Sequence, residues 1–258
     1  MSEALPKPGA TGASLDLAPW PEVDFGSFGP IDVQPLSRIQ KLVGSYLCRN
    51  WAMIPHVTHH DEADITLLDT VRRRLGADQG LKLTPLAFMV KAVVSGLKLY
   101  PRFNASIDAG GKNLILKKYF NIGVAVDTPK GLLVPVIRDA DRKSVAQIAA
   151  EIAEVSQQAR TKGLPMDRMT GGCFSISSLG SIGGTAFTPI INAPEVAILG
   201  LAKAFQKPVN VDGTLAWRLM LPLSLSYDHR IINGADAARF CVHLASRLSD
   251  PTQMIEAD

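Results

Sequence analysis

The run Leu219-Met220-Leu221-Pro222-Leu223-Ser224-Leu225-Ser226 leads straight into Tyr227-Asp228-His229-Arg230-Ile231-Ile232-Asn233-Gly234-Ala235-Asp236. The first part is apolar enough for a buried strand, with partial alternation. The second part opens a helix that the apolar spacing carries from Gly234 to Leu248, where Asp250-Pro251 stops it. His229 therefore stands at the mouth of a strand, with Asp228, Arg230 and Asn233 within four residues. Such neighbours can lock an imidazole into one tautomer and let it work as a base near neutral pH. A surface turn with an ordinary polar histidine fits these residues alone equally well.

Working outward, helix and strand signals alternate. Ser37 is an N-cap candidate for a helix to Arg49, with Ile39, Leu42, Val43, Tyr46 and Leu47 at helical spacing. His56 to Asp64 reads as extended and Thr66 to Leu75 as a second helix. Thr84-Pro85 opens a third, apolar enough to be central, which Pro101 ends after Tyr100. Strands are expected over 114–119, 121–127 and 132–137, with Thr128-Pro129-Lys130-Gly131 as a turn. Asp141 or Ser144 caps a long amphipathic helix to Arg160. Further strands cover 173–178, 196–202 and 215–226, the last two separated by a turn at Asp212-Gly213. Strands mixed with long helices argue for an α+β or α/β fold, a mixed sheet with helices on one face.

Composition narrows the classes. The chain has 258 residues, 47% apolar and 20% charged, as a globular protein should. A net charge of +3 gives no electrostatic footprint for nucleic acid. Arg72-Arg73-Arg74, the one basic cluster, reads as a solvated helix face. Cys48, Cys173 and Cys241 have neither zinc nor disulfide spacing and read as small buried hydrophobes in a reducing compartment. No apolar run reaches the 18 or so residues that span a bilayer, and the N-terminus carries no signal core. The expectation is a cytoplasmic, bacterial-type protein with no metal and no membrane or nucleic-acid partner. Residues 1–30, rich in Pro, Gly, Ala and Ser, read as a linker, and 31–258 as the folded domain.

A second chemical feature is Phe174-Ser175-Ile176-Ser177-Ser178-Leu179-Gly180. Alternation sends Ser175 and Ser177 to one face of a strand and Phe174, Ile176 and Ser178 to the other. Buried hydroxyls need partners, so a structural role stands beside a second one, donation to a developing oxyanion. Ser177 lacks the Gly-x-Ser-x-Gly elbow, which disfavours a serine nucleophile. The glycines Gly180, Gly183 and Gly184 follow a strand, but Thr185 to Pro189 cannot open a regular helix, which disfavours a phosphate cradle.

Five blocks together resemble one family. They are Pro35-Leu36-Ser37-Arg38-Ile39-Gln40-Lys41, Ile54-Pro55-His56-Val57-Thr58, the block 174–184, Asn192-Ala193-Pro194-Glu195-Val196-Ala197-Ile198-Leu199-Gly200, and Ser226-Tyr227-Asp228-His229-Arg230. In this order they are similar to the catalytic domain of dihydrolipoamide acyltransferases, the core components of 2-oxo acid dehydrogenase complexes. These blocks, with His60-Asp61-Glu62-Ala63-Asp64-Ile65-Thr66 included, look most like the acetyl-transferring, pyruvate-type branch.

The resemblance implies an α+β, chloramphenicol acetyltransferase-like fold that works as a homotrimer. It implies acyl transfer between a dihydrolipoyl thiol and coenzyme A, with acetyl-CoA as substrate and the lipoyl group carried by a separate domain or chain. His229 would be the base, Ser177 the oxyanion donor, with Ser178 the neighbour most easily confused with it. Serine and histidine would come from different subunits. Partners implied are lipoyl domains and the decarboxylase and dihydrolipoamide dehydrogenase components.

The family often has aspartate four residues after the histidine. Here Asn233 can organise neighbours but supplies no counter-charge. In larger cubic or dodecahedral cores a hydrophobic C-terminal tail docks on the next trimer. Met254 and Ile255 suit that role, while Glu256-Ala257-Asp258 do not, so an isolated trimer is the alternative. The 30 residues before the domain are too few for lipoyl domains, which fits an excised domain or a short protein served by another chain's lipoyl group. Competing readings are a non-catalytic core scaffold, against which both His229 and Ser177 speak, and an acyltransferase for another acyl group or acceptor.

Overall fold

The computed structural model describes residues 18–129 and 131–255. In the linker expected over 1–30, residues 1–17 lie outside that range, as do the tail residues 256–258 and Lys130 of the expected turn. From residue 18 the chain runs exposed past a short 3₁₀ turn, Phe25–Phe28. Regular structure starts at α1, Arg38–Met53. Ser37 and Gln40 close a reciprocal capping box there, which fixes the start of the helix.

Next come β1, His56–Asp64, then α2, Thr66–Gln79, and α3, Pro85–Leu99. Nine residues of α3 are buried, so it is the central helix its composition predicted. The three strands expected next are broken up. β2, Ala105–Ile107, pairs with β3, Leu114–Leu116. β4, Ile122–Val124, stays in the main sheet, while β5, Val126–Thr128, turns away to pair with β6, Gly131–Leu133. Pro135 has no N–H, and β7, Val136–Ile137, resumes pairing only after it.

Ser144, not Asp141, caps α4, Val145–Thr161, again with a capping box; Asp141 lies in a 3₁₀ turn. β8, Phe174–Ser178, and β9, Ala197–Leu201, follow. The reading of residues 203–214 missed β10, Phe205–Val211, which is largely exposed. Its Pro208 weakens any strand signal and suits the edge position it occupies. β10 folds back at Asp212-Gly213 onto β11, Thr214–Asp228, the longest strand. Asn233 caps α5, Gly234–Ser249, and α6, Thr252–Ile255, ends the described chain.

The main sheet runs β1-β11-β9-β8-β4-β7, with β10 also paired to β11. β4, β8 and β9 pair in parallel and the rest antiparallel, so the sheet is mixed. Strand alternation gives the sheet two unlike faces. Leu221, Leu223, Leu225 and Tyr227 join Ala197, Leu199, Leu201, Phe174, Ile176, Ile122 and Val124 in one core with α3 and α5. Phe240 of α5 stacks on Phe103 at 4.2 Å within it. The opposite face carries mostly small and polar residues, Gly123, Ser175, Ser177, Gly200, Ser224, Ser226 and Asp228, with Ile198 and Val136 among them.

Two expectations change. Cys48 is exposed on α1, and only Cys173 and Cys241 are buried. Met254 is 5% exposed and packs in its own chain's core, while Ile255 is only partly buried against that core. Of the arginine cluster, Arg73 and Arg74 are exposed as read, whereas Arg72 is half-buried, paired with Asp69 and donating to Leu83 O at 3.1 Å.

Candidate active site

His229 follows the last residue of β11, and its exposed ring stands 5.8 Å from the Tyr227 ring, tilted by 34°. The backbone around it is pinned. His229 N–H donates to Pro55 O at 3.1 Å, and Asp228 N–H to Val196 O at 2.9 Å. The Asp228 side chain is 3% exposed, and its carboxylate accepts from Arg230 Nη2 at 2.6 Å, Nε at 2.9 Å and the Arg230 backbone N–H at 3.1 Å. That hydrogen bond holds the Arg230 guanidinium above its ordinary range. Arg102 Nη1 donates to Ile231 O at 3.2 Å, anchoring the next turn. Asn233 Oδ1 accepts from Asp236 N–H at 2.8 Å, so its amide is the cap of α5.

A second histidine, quoted in the sequence for its block alone, supports this end. Ile191 N–H donates to His56 Nε2 at 3.0 Å, while His56 Nδ1 faces Ile54 O at 2.8 Å. One partner can only donate and the other only accept, so His56 carries its proton on Nδ1 and is neutral. Trp51 stacks on it at 5.3 Å. Its pairing with Asp228 across β1 and β11 places it directly beneath the His229 turn. The signal available in the sequence was the Trp51, Pro55 and His56 cluster at the end of a helix.

Ser177 lies on the polar face of the sheet, opposite Gly200, which in turn faces Ser224. Ser178 pairs with Leu201 on the core side, which separates the two serines by face. Gly200 matters to this surface because a Cβ there would come within 2.6 Å of the Phe187 ring. Phe187 N–H and His60 both reach Ser224 Oγ, at 3.5 and 3.0 Å. Across β1 and β11, Thr58 meets Ser226 at 2.8 Å.

Asn233 follows His229 by four residues at the start of α5, whereas Ser177 lies elsewhere on the sheet. Ser177 shares a row with Ser224, two strands away, and His229 lies five residues beyond Ser224 along β11. At about 3.3 Å per residue and about 4.8 Å per strand, the two Cα atoms are roughly 15–20 Å apart. Both side chains of one chain cannot reach a single reacting carbon, which must lie about 3 Å from each. Among the described residues no group of three or more His, Cys, Asp or Glu is placed to hold a metal ion. No described helix is long and apolar enough to cross a membrane.

The model of the 2-oxoacid dehydrogenases acyltransferase catalytic domain matches residues 29–256, and the chain belongs to that family. A relative from Cupriavidus necator is 58% identical over 242 residues, covering 93% of this chain and 43% of that protein. It is a dihydrolipoyllysine-residue acetyltransferase component of pyruvate dehydrogenase complex. The chain thus spans less than half the length of this relative.

A solved structure of Azotobacter vinelandii dihydrolipoamide acetyltransferase is 52% identical with a TM-score of 0.90, covering 92% of this chain and 99% of that one. That work concerns the role of a serine, a histidine and an asparagine in its catalytic mechanism. The cubic core of the pyruvate dehydrogenase multienzyme complex gives the same identity, coverage and TM-score. Chloramphenicol acetyltransferase, 16% identical with a TM-score of 0.52 over 79% of this chain and 94% of that one, shares the fold.

Proposed function

We propose that this domain transfers an acetyl group between coenzyme A and a dihydrolipoyl thiol, as the core of a pyruvate dehydrogenase complex. One observation carries the reading. The serine, histidine and asparagine studied in the Azotobacter vinelandii enzyme are spaced 52 and then 4 residues apart, as Ser177, His229 and Asn233 are here. Asparagine at the third position is therefore a feature shared with an acetyl-transferring relative, and no aspartate is missing from it.

The chemistry follows from the residue types. An ordinary thiol titrates near 8.5, so a base working near neutrality is enough to make the thiolate. His229 takes the proton from the incoming thiol, and the thiolate attacks the thioester carbonyl carbon. The electron pair moves onto the carbonyl oxygen, which Ser177 Oγ–H stabilises by donation. Collapse of that intermediate expels the other thiolate, which takes the proton back from the His229 imidazolium. No acyl-enzyme forms. Asn233 holds the start of α5 and with it the turn after His229.

Ser177 and His229 of one chain are too far apart to share a carbonyl, so the working unit is an oligomer in which neighbours supply one each. A homotrimer is the expected unit, and the cubic assembly of a 52%-identical relative supports a larger core. The lipoyl group would arrive on a separate domain or chain, with decarboxylase and dihydrolipoamide dehydrogenase components as further partners. Residues 1–30 would serve as a linker, which the exposure of residues 18–30 supports. The site would work in a bacterial cytoplasm.

Rates with acetyl-, propionyl- and succinyl-coenzyme A against free dihydrolipoamide test the reading. Acetyl transfer should lead. Absence of transfer to dihydrolipoamide with every donor sinks it.

A further inference from the structure

One buried acid has no part in the chemistry above. Glu195 sits just before β9 and is 5% exposed. Its Oε2 and the nearby Ser175 Oγ are both buried, and neither closes a hydrogen bond among the described residues. The Gly172 backbone presses on the other oxygen so closely that a Cβ there would stand 2.7 Å from Oε1. Ser175, Lys117 and Asn192 favour the carboxylate, but burial outweighs them and pushes Glu195 up to about 7. The other titratable groups of this pocket do not offset that. Lys117 is held down by burial and donates Nζ to Ala105 O at 3.2 Å, and the Cys173 thiol is pushed up by burial.

The pocket lies where the two reacting strands are joined. Ser175 is two residues before Ser177 on the same strand and face. Val196, the residue after Glu195, accepts from Asp228 N–H, one residue before His229. A neutral Glu195 is compatible with the packing seen. An ionised one must draw donors towards Oε2, because an unpaired buried charge is the costliest group a core can hold. The Ser175 hydroxyl of β8 is one such donor, and drawing it in would shift that strand.

We propose that Glu195 is a positioning residue that works in its neutral form, holding β8 so that Ser177 stands where an oxyanion develops. The proposal rests on the reading of Ser177 given above. Its sign is fixed by linkage. The folded state binds the proton more tightly than the unfolded chain, so stability is lost as pH rises from the ordinary carboxyl range through about 7.

The test compares the wild-type oligomer with Glu195→Gln, which keeps the shape and cannot ionise, from about pH 4.5 to about pH 8.5. The variant's melting temperature should rise relative to wild type from the ordinary carboxyl range to about 7 and level off above it. Its kcat relative to wild type should rise about threefold or more with KM unchanged, and amide exchange over residues 173–180 should be slower than in wild type only at the upper end. Ser175→Ala, which removes a group favouring the carboxylate, should move the onset of fast exchange to higher pH. A melting difference that does not vary with pH overturns the neutral form. Flat kcat and exchange ratios beside a varying melting difference overturn the positioning role. A wild-type protein with no acetyl transfer would refute the reading of Ser177 separately, and the melting and exchange comparisons would still decide Glu195.

Discussion

His229 stands on a turn tied down from several sides, whereas Ser177 is placed only through β8 and what packs against that strand. Around His229, a buried carboxylate grips Arg230, Pro55 O and Val196 O anchor the backbone, Arg102 holds Ile231, and Asn233 caps the helix that follows. Ser177 has a backbone ladder with β9, a glycine opposite, and the glycine-rich loop 180–184 just beyond. The difference fits the two kinds of work proposed for them. A base must keep one orientation through both proton transfers, while an oxyanion donor must have a hydroxyl free for a charge that exists only in the intermediate.

The comparison can be broken by variants at either end. His229→Ala should lower kcat by about a thousandfold or more, since no other residue takes the proton. Ser177→Ala should cost about a hundredfold to a thousandfold, with little change in KM, because its bond strengthens mainly as charge develops. Near-normal turnover in either variant contradicts the role given to that residue. Asn233 sharpens the contrast. Asn233→Asp keeps the cap and should leave activity within about twofold, while Asn233→Ala should lose about 1 kcal/mol of stability in a denaturant titration.

The helices and the polar site were the most legible parts of the sequence, for local reasons. Ser37 and Ser144 start their helices through side chains three residues away, and Asn233 does the same for α5. The His229 turn was legible because Asp228, Arg230 and Asn233 are neighbours in sequence as well as in space. The broken strands between residues 114 and 137 were not, since their ends depend on partners such as Ile176 and on the missing N–H of Pro135. β10 hid behind Pro208 and an exposed surface. Glu195 and His56 were quoted in the sequence without a role, because their meaning comes from Ser175, Gly172, Ile191 and Ile54, set by the fold. The separation of Ser177 from His229 needs the strand order, which no local pattern gives.

The most direct test of a site shared between copies is to mix the His229→Ala and Ser177→Ala proteins, each strongly impaired alone, under conditions that let subunits exchange. Random mixing into closed oligomers leaves about a quarter of sites with an intact histidine facing an intact serine, so activity should return to about that fraction of wild type. Mixed oligomers verified by mass that stay inactive would contradict the account.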